Sequence, residues 1–363
     1  MANKKVLRAA GLVAAIMSAS LVAAPRVAHG QGGRGGGGAF GPPTTQTRYD
    51  DYTGFTKIFD GQTFTNWNGE RDVWSIADGL LHADTTKTPG QHHLHYTGPG
   101  AVMRDFTLKV EVKLSAAGAN GGIQYRSRLL HAAHGGSVAD PLGKPLPANI
   151  TTMAEAIAAG ITAAPAPRGG GPGGAGGRGP GGLPGGAPGA PGGAPAAAPP
   201  NPCVGEVGNP GAPPPAGRGN AQATPTGNPW QVSGYQFDMD SDNQYTGQLY
   251  EGQGRNIITA PGTIGMLLPG NCKILLGKVA GDAKAAIKPH QGLDGEWQQI
   301  EIIVRGNTMI HLINGQVMSI TVDDDPIARA PHGILSLQLE GSGQIWYRNV
   351  YLKVQDKPLD FPR

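Results

Sequence analysis

Between Pro165 and Gly219 the chain holds 20 Gly and 15 Pro in 55 residues. No helix and no central strand can run through such a stretch, because Pro removes backbone donors and Gly carries the largest ordering cost. It also has too little apolar surface to offset its chain entropy, so the sequence predicts disorder there. The Gly does not fall on every third position, which excludes a collagen triple helix. The whole chain has 60 Gly and 32 Pro in 363 residues. Most of that excess therefore sits in one insert, and a second small patch runs from Gly32 to Gly38. The rest has the composition of a turn-rich all-β protein.

The first thirty residues read as a secretory signal peptide. Lys4, Lys5 and Arg8 precede an uncharged apolar run, Ala9 to Ala24, and Ala28-His29-Gly30 offers small residues for cleavage after Gly30. The run is short for a membrane span, and uncleaved anchoring is the minor alternative. No later segment is long enough to span. An exported protein, periplasmic or extracellular, is expected. Cleavage removes four cations from a formal net charge of +3 and leaves −1. The sequence shows no basic stripe of the kind that nucleic-acid binding needs. Cys203 and Cys272 are the two cysteines. A disulfide would join the end of the insert to the body, and two free thiols are the other reading.

Two blocks, 55–133 and 227–356, alternate apolar and polar residues with period two. Phe106, Leu108, Val110, Val112 and Leu114 fall on one strand face, with Thr107, Lys109, Glu111 and Lys113 on the other. Trp297 to Ile313 reads as two strands broken at Arg305-Gly306-Asn307. Asn314-Gly315 is a hairpin signal. Gly333 to Leu339 and Gln344 to Val354 are further strands. Thr151 to Ala159 is the only helix-like stretch, and Asp282 to Ile287 fits one turn of helix at most. The expected architecture is one discontinuous jelly-roll β-sandwich over 55–356, interrupted by a low-complexity insertion at 140–226 and preceded by a Gly-rich linker at 31–54.

The same alternation marks a candidate site. In Gly234 to Asp240, Tyr235, Phe237 and Met239 go inward, so Gln236, Asp238 and Asp240 go outward together. Gly122 to Arg128 buries Ile123 and Tyr125 and presents Gln124, Arg126 and Arg128. Ile334 to Glu340 buries Leu335, Leu337 and Leu339 and presents Ser336, Gln338 and Glu340. If these strands are neighbours, they floor a polar surface suited to sugar hydroxyls. Paired carboxylates on one strand are also what glycoside cleavage uses, but Gln236 cannot be a nucleophile.

Several stretches, in order, resemble the 3-keto-disaccharide hydrolase family. They are Phe59-Asp60-Gly61 followed by Trp67, Trp74-Ser-Ile, Phe106 to Val112, Asn120 to Ser127, Gly234 to Asp240 and Gly247 to Glu251. Gly295 to Ile302, Leu312 to Gly315, Gly333 to Gln338 and Tyr347 to Val350 follow. The resemblance covers about 55–133 and 227–355 and implies a concanavalin/laminarinase-like jelly roll. It implies an oligosaccharide or 3-keto-glycoside substrate, with C2-proton abstraction, elimination at C1 and hydration. Under it Asp238 is the expected base, with Asp240 the alternative, and Glu251 the expected acid. Arg126 and Gln124 would stabilise the oxyanion. Gln236, Tyr250, Gln338, Glu340, Arg348 and Asn349 would contact sugar, although Arg348 and Asn349 equally suit a strand end. A non-catalytic carbohydrate-binding module is the alternative. So is a surface protein whose Gly/Pro insert is the functional part.

Other signals are weaker. Gln91-His-His-Leu-His95 lies in Gly/Pro-flanked sequence and reads as a solvated loop more readily than as a metal site. No organic cofactor is called for; a divalent cation stays open. Asp323 to Asp325 reads as a turn before Pro326. Trp67, Trp74, Trp297 and Trp346 read as core, and Trp230 as a possible sugar platform.

Overall fold

Among the described residues, period-two alternation resolves into seventeen strands in two sheets. The computed structural model describes residues 49–115, 118–137, 139–162, 227–288 and 295–355. One sheet has ten strands. Its order is β12 (Cys272–Lys278), β11 (Thr263–Leu268), β15 (Gln316–Asp323), β14 (Thr308–Ile313), β13 (Gln298–Arg305), β6 (Phe106–Leu114), β17 (Gln344–Val354), β4 (Leu80–Asp84) and β3 (Trp74–Ala77), with β1 (Thr56–Lys57) also on β17. The seven-stranded sheet runs β10 (Asn256–Thr259), β9 (Leu249–Gly252), β8 (Val232–Asp240), β7 (Ala119–Leu129), β16 (Ile334–Gly341), β5 (Gly90–Tyr96) and β2 (Trp67–Gly69). Pairing is antiparallel except between β11 and β15. The fold is a jelly-roll β-sandwich of the concanavalin-like kind, and both sheets interleave strands from the two sequence blocks.

The inner faces form the core. Leu108, Val110 and Val112 of β6 stand opposite Ile302, Ile300 and Gln298 of β13. The β6 residues and both isoleucines are fully buried. The seven-stranded sheet contributes Ile123, Tyr125, Tyr235, Phe237, Leu335, Leu337 and Leu339. Each such side chain contributes about 1.5–3 kcal/mol on burial. Asn314 and Gly315 both have positive φ, 50° and 82°, as a two-residue hairpin requires. Asp282 caps a single 3-10 turn, Ala283–Ala286.

Two boundaries differ from the sequence reading. Residues 49–54 are part of the body: Tyr52 stacks on Tyr351 at 4.0 Å. Lys109, expected on a solvent face, is 1% exposed there, with Nζ donating to the Tyr49 and Asp51 carbonyls. Residues 139–162 are also folded. Thr152 and Glu155 form a capping box at α1 (Met153–Ala158). Leu146, Ile150 and Ala156 pack with Trp230, while Leu142 packs on Leu129, Val232 and Ile334. This arm has enough apolar residues to order itself against the outer face of the seven-stranded sheet at the Leu129 end. Trp230 is fully buried in it, with Nε1 donating to Asn68 Oδ1, so it is no sugar platform. Trp297 and Trp346 are half-buried on the outer face of the ten-stranded sheet, not in the core, and Lys113 lies over both rings.

Cys272 is disulfide-bonded. Cys203, the signal-like segment, the Gly32–Gly38 patch and the Gly/Pro stretch lie outside the described residues. Among the described residues no helix is long and apolar enough to cross a membrane.

Candidate active site

Strand register carries one polar face across the seven-stranded sheet. On β8 the inward Tyr235 and Phe237 leave Gln236 and Asp238 outward. Gln236 stands opposite Tyr250 of β9 and Gln124 of β7. Gln124 stands opposite Ser336 of β16, Ser336 opposite His95 of β5, and His95 opposite Asn68 of β2. A second row runs from Asp238 through Gly122 and Gln338 to His93. A third joins Asp240, Asn120, Glu340 and Gln91.

Gly122 is the one gap in the second row. A Cβ there would lie 2.5 Å from Gln236 Nε2, so the absence of a side chain lets Gln236 lie flat across β7. A chain of hydrogen bonds follows. Gln124 Nε2 donates to Gln236 Oε1 at 3.2 Å and contacts His93 Nε2 at 3.3 Å. Gln236 Nε2 donates to Asp238 Oδ1 at 3.1 Å. Gln248 Nε2 donates to Asp238 Oδ2 at 2.6 Å, and the Met239 amide donates to Oδ1 at 3.1 Å. Asp238 is therefore a buried carboxylate oriented by at least three donors.

Burial keeps His93 and His95 of this face neutral. Burial, helped by the charge of His92, pushes His93 down to about 3, and burial and His93 hold His95 well below its ordinary value. Because His93 Nε2 accepts from Gln124, its proton sits on Nδ1, which faces no partner. His95 Nδ1 contacts Ser336 Oγ at 3.1 Å, and Ser336 Oγ donates to the Leu337 carbonyl, so His95 Nε2 is an open acceptor. His134 reaches this region from the folded arm and lowers the His95 pKa further. Its Nδ1 donates to the Lys144 carbonyl, leaving Nε2 open.

The face thus collects unsatisfied polar atoms. Among the described residues, six of the eleven buried side-chain atoms without a hydrogen-bond partner belong to it: His93 Nδ1, His95 Nε2, Asn120 Oδ1, Gln124 Oε1, His134 Nε2 and Gln338 Oε1. Each costs about 1–3 kcal/mol when left unpaired. Clustering of that cost on one face singles it out as the candidate site.

The structure brings together Gln124, Gln236, Asp238, Gln338, Glu340 and Tyr250, as alternation and pairing require. Glu340 accepts a long, 3.5 Å bond from Gln338. The structure turns Arg126, Arg128, Glu251, Arg348 and Asn349 away from them, while Asp240 stays on the face but is tied into a turn. Asp240 accepts from the Gln244 and Tyr245 amides and Thr246 Oγ1, so it holds the turn after β8. β7 bulges between Tyr125 and Arg128, and Arg126 takes φ +45°. That turns Arg126 away: Nε and Nη2 donate to the Arg104 carbonyl, and Nη2 pairs with Asp105 at 3.3 Å. Arg128 pairs with Ser233 and so lies on the Tyr235 side. Glu251 stands opposite Tyr235, on the inner face. There Arg255 binds it at 2.6 Å and reaches Asp323, which accepts from Tyr235. Burial opposes the Arg255 charge, but the two carboxylates more than offset it and raise its pKa.

Arg348 and Asn349 belong to the other sheet. Arg348 pairs with Glu111 at 2.6 Å and lies over Trp297, and Asn349 has φ +51° within an irregularity of β17. They serve the irregularity in the middle of β17 rather than a strand end. Asp325 does cap the turn after Pro326, through the Ile327 and Ala328 amides, but Asp323 is a buried ion partner.

Sequence reasoning missed β5. Gln91 to His95 is no solvated loop: His92, His93 and His95 are buried between β16 and β2, and His92 bonds Glu70 at 2.6 Å. The signal was the spacing of Gln91, His93 and His95 around Leu94, which the flanking Gly and Pro obscured. Among the described residues no group of three or more His, Cys, Asp or Glu is placed to hold a metal ion.

The chain is similar to several solved structures at low identity. A proposed glycosyl hydrolase from Parabacteroides distasonis is 12% identical over 86% of this chain and 99% of that one, with TM-score 0.37. A Bacillus subtilis protein with a galectin-like fold is 8% identical over 83% and 98%, TM-score 0.40. The carbohydrate-binding module CBM66 from Bacillus subtilis is 6% identical over 79% and 95%, TM-score 0.33. No curated protein matches. The sequence profile of the 3-keto-alpha-glucoside-1,2-lyase-like domain matches residues 54–149 and 218–353, most of the chain and most of both sheets, and the protein belongs to that family.

Proposed function

We propose that the protein cleaves 3-keto-glycosides on the outer face of the seven-stranded sheet. The observation that carries this reading is the cluster of six unsatisfied polar atoms around one oriented carboxylate, Asp238. A 3-keto sugar has an acidic proton on C2, because the ketone stabilises the enolate. Asp238 accepts that proton. The electron pair moves through the C3 oxygen and returns to form C1=C2 as the C1–O bond breaks. The leaving group takes a proton from Glu340, the face's carboxyl that is not tied into a turn. Water then adds its hydroxyl to C1 and gives its proton to Glu340, while Asp238 returns its proton to C2, which gives net hydrolysis and regenerates both carboxyl groups.

The enolate oxygen needs a donor that is not itself an acid. Neutral His93, with its proton on Nδ1, has that character. Gln124 Oε1, Gln338 Oε1 and His95 Nε2 are acceptors for sugar hydroxyls, and Tyr250 offers a ring for stacking. Release of 3-keto-glucose from 3-keto-trehalose or 3-keto-glucosides tests the reading. Turnover that disappears in Asp238→Asn supports it; binding without turnover removes the chemistry.

The amide chain Gln124–Gln236–Asp238–Gln248 favours a second reading. Amides and a saturated carboxylate bind hydroxyls without reacting, as a carbohydrate-binding module would. We further propose export to the periplasm or beyond. The signal-like pattern of residues 1–30 and the disulfide at Cys272 both support an oxidising compartment.

A further inference from the structure

A second site lies on the opposite side of the same sheet. A cavity of about 200 Å³ opens at the end of β7 and β8, under the connection from β15 to β16. This is smaller than the roughly 300–1,000 Å³ of pockets for drug-sized ligands, so it admits one small molecule. Arg126, Arg128, Ser137, Ser233, Arg329 and His332 line it. Ser233 shares the Tyr235 face of β8, and Arg128 stands opposite Ser233. The cavity is therefore separated from Asp238 by the sheet itself.

Its charges do not balance. Arg126 is paired with Asp105, and Glu251, which also borders the cavity, is paired with Arg255. Arg128 and Arg329 make no ion pair among the described residues. Arg329 donates only a long, 3.4 Å bond to the Asp323 carbonyl. Two half-buried guanidinium groups thus border one cavity, and neither has an ion-pair partner among the described residues. Low-dielectric walls focus such a field. His332, which also lines the cavity, has a buried Nδ1 with no partner among the described residues.

We propose that this cavity binds a small anion, a carboxylate or phosphate group held between Arg128 and Arg329. Guanidinium forks match both groups with paired, charge-assisted hydrogen bonds. The hydroxyls of Ser137 and Ser233 suit a polar body attached to that group. The assignment stands apart from the chemistry proposed for the outer face.

Calorimetric titration of the full chain with inorganic phosphate, glucuronate and glucose tests it. At least one of the two anions binds in a way that Arg128→Gln and Arg329→Gln weaken, whereas any glucose binding, which belongs to the outer face, is the same in native protein and variants. Binding by glucuronate alone identifies a sugar acid, binding by phosphate alone a phosphoryl group, and binding by both the shared anion chemistry. Arg128→Gln and Arg329→Gln each weaken binding about tenfold or more, as loss of a charged hydrogen bond does. Arg128→Lys, which keeps the charge, retains part of it and controls for folding. The proposal is overturned if neither anion binds at millimolar concentration, or if both Gln variants bind the anions like the native protein.

Discussion

Gly122→Ala perturbs the outer face without deleting any polar group. The added methyl would meet Gln236 Nε2, Cγ and Cδ at 2.5, 2.7 and 2.8 Å. These atoms belong to a flexible side chain, so Gln236 swings away and the strand stays. Two hydrogen bonds are lost, from Gln124 to Gln236 and from Gln236 to Asp238. At about 0.5–1.5 kcal/mol each, that is about 1–3 kcal/mol. Replacing Gly by Ala in a strand returns about 0.5–1 kcal/mol. Net stability therefore falls by at most about 2.5 kcal/mol. Activity depends on position more steeply, since displacement of a reacting group by about 1 Å costs about a hundredfold. Urea midpoints and kcat/KM on a 3-keto-glucoside separate the two effects. In a Gln236→Ala background the same change should add less than about 0.5 kcal/mol, because its target is already gone. Native kcat/KM in Gly122→Ala would refute the view that the Gln236 chain organises the site.

Glu251→Gln should leave kcat/KM unchanged and lower stability by about 1.5–3 kcal/mol, because Asp323 still neutralises Arg255; thermal melting and kinetics check both. Arg348→Ala should change turnover not at all and stability by no more than about 1 kcal/mol, as a half-exposed pair with Glu111, measured the same way. Stability should fall as pH drops below about 6.5. His93 and His311 are held down to about 3 and about 4 by burial, and His95 is also depressed. The unfolded chain takes up protons that these residues refuse, at about 1.4 kcal/mol per pH unit for each. His92 runs the other way: burial opposes its charge, Glu70 outweighs that, and its contribution is lost as pH rises through the raised value. Urea midpoints from pH 7.5 to 4.5 measure the slope, and a flat profile would contradict the neutral-histidine assignment.

Much of this was legible because a strand writes its faces at fixed spacing. Gln236 and Asp238 follow from Tyr235, Phe237 and Met239, and β6 and β17 fall where alternation puts them. What failed has physical causes. The bulge at Arg126 carries no glycine to announce it, so Arg126 and Arg128 were placed on the wrong face. Glu251 depends on register with Tyr235, a tertiary fact. Asp240 looks like its neighbour Asp238 until the turn that it caps is folded. β5 hides among Gly and Pro, and its histidines are explained only by the strands on either side.

The central claim is that Asp238 takes a proton from C2 of a 3-keto sugar. Deuterium exchange at C2 of 3-keto-glucose in D2O, followed by NMR, reads that step alone, without leaving-group departure. The protein should accelerate exchange at C2, Asp238→Asn should abolish the acceleration, and Glu340→Gln should retain it. Equal exchange by native protein and Asp238→Asn would contradict the account.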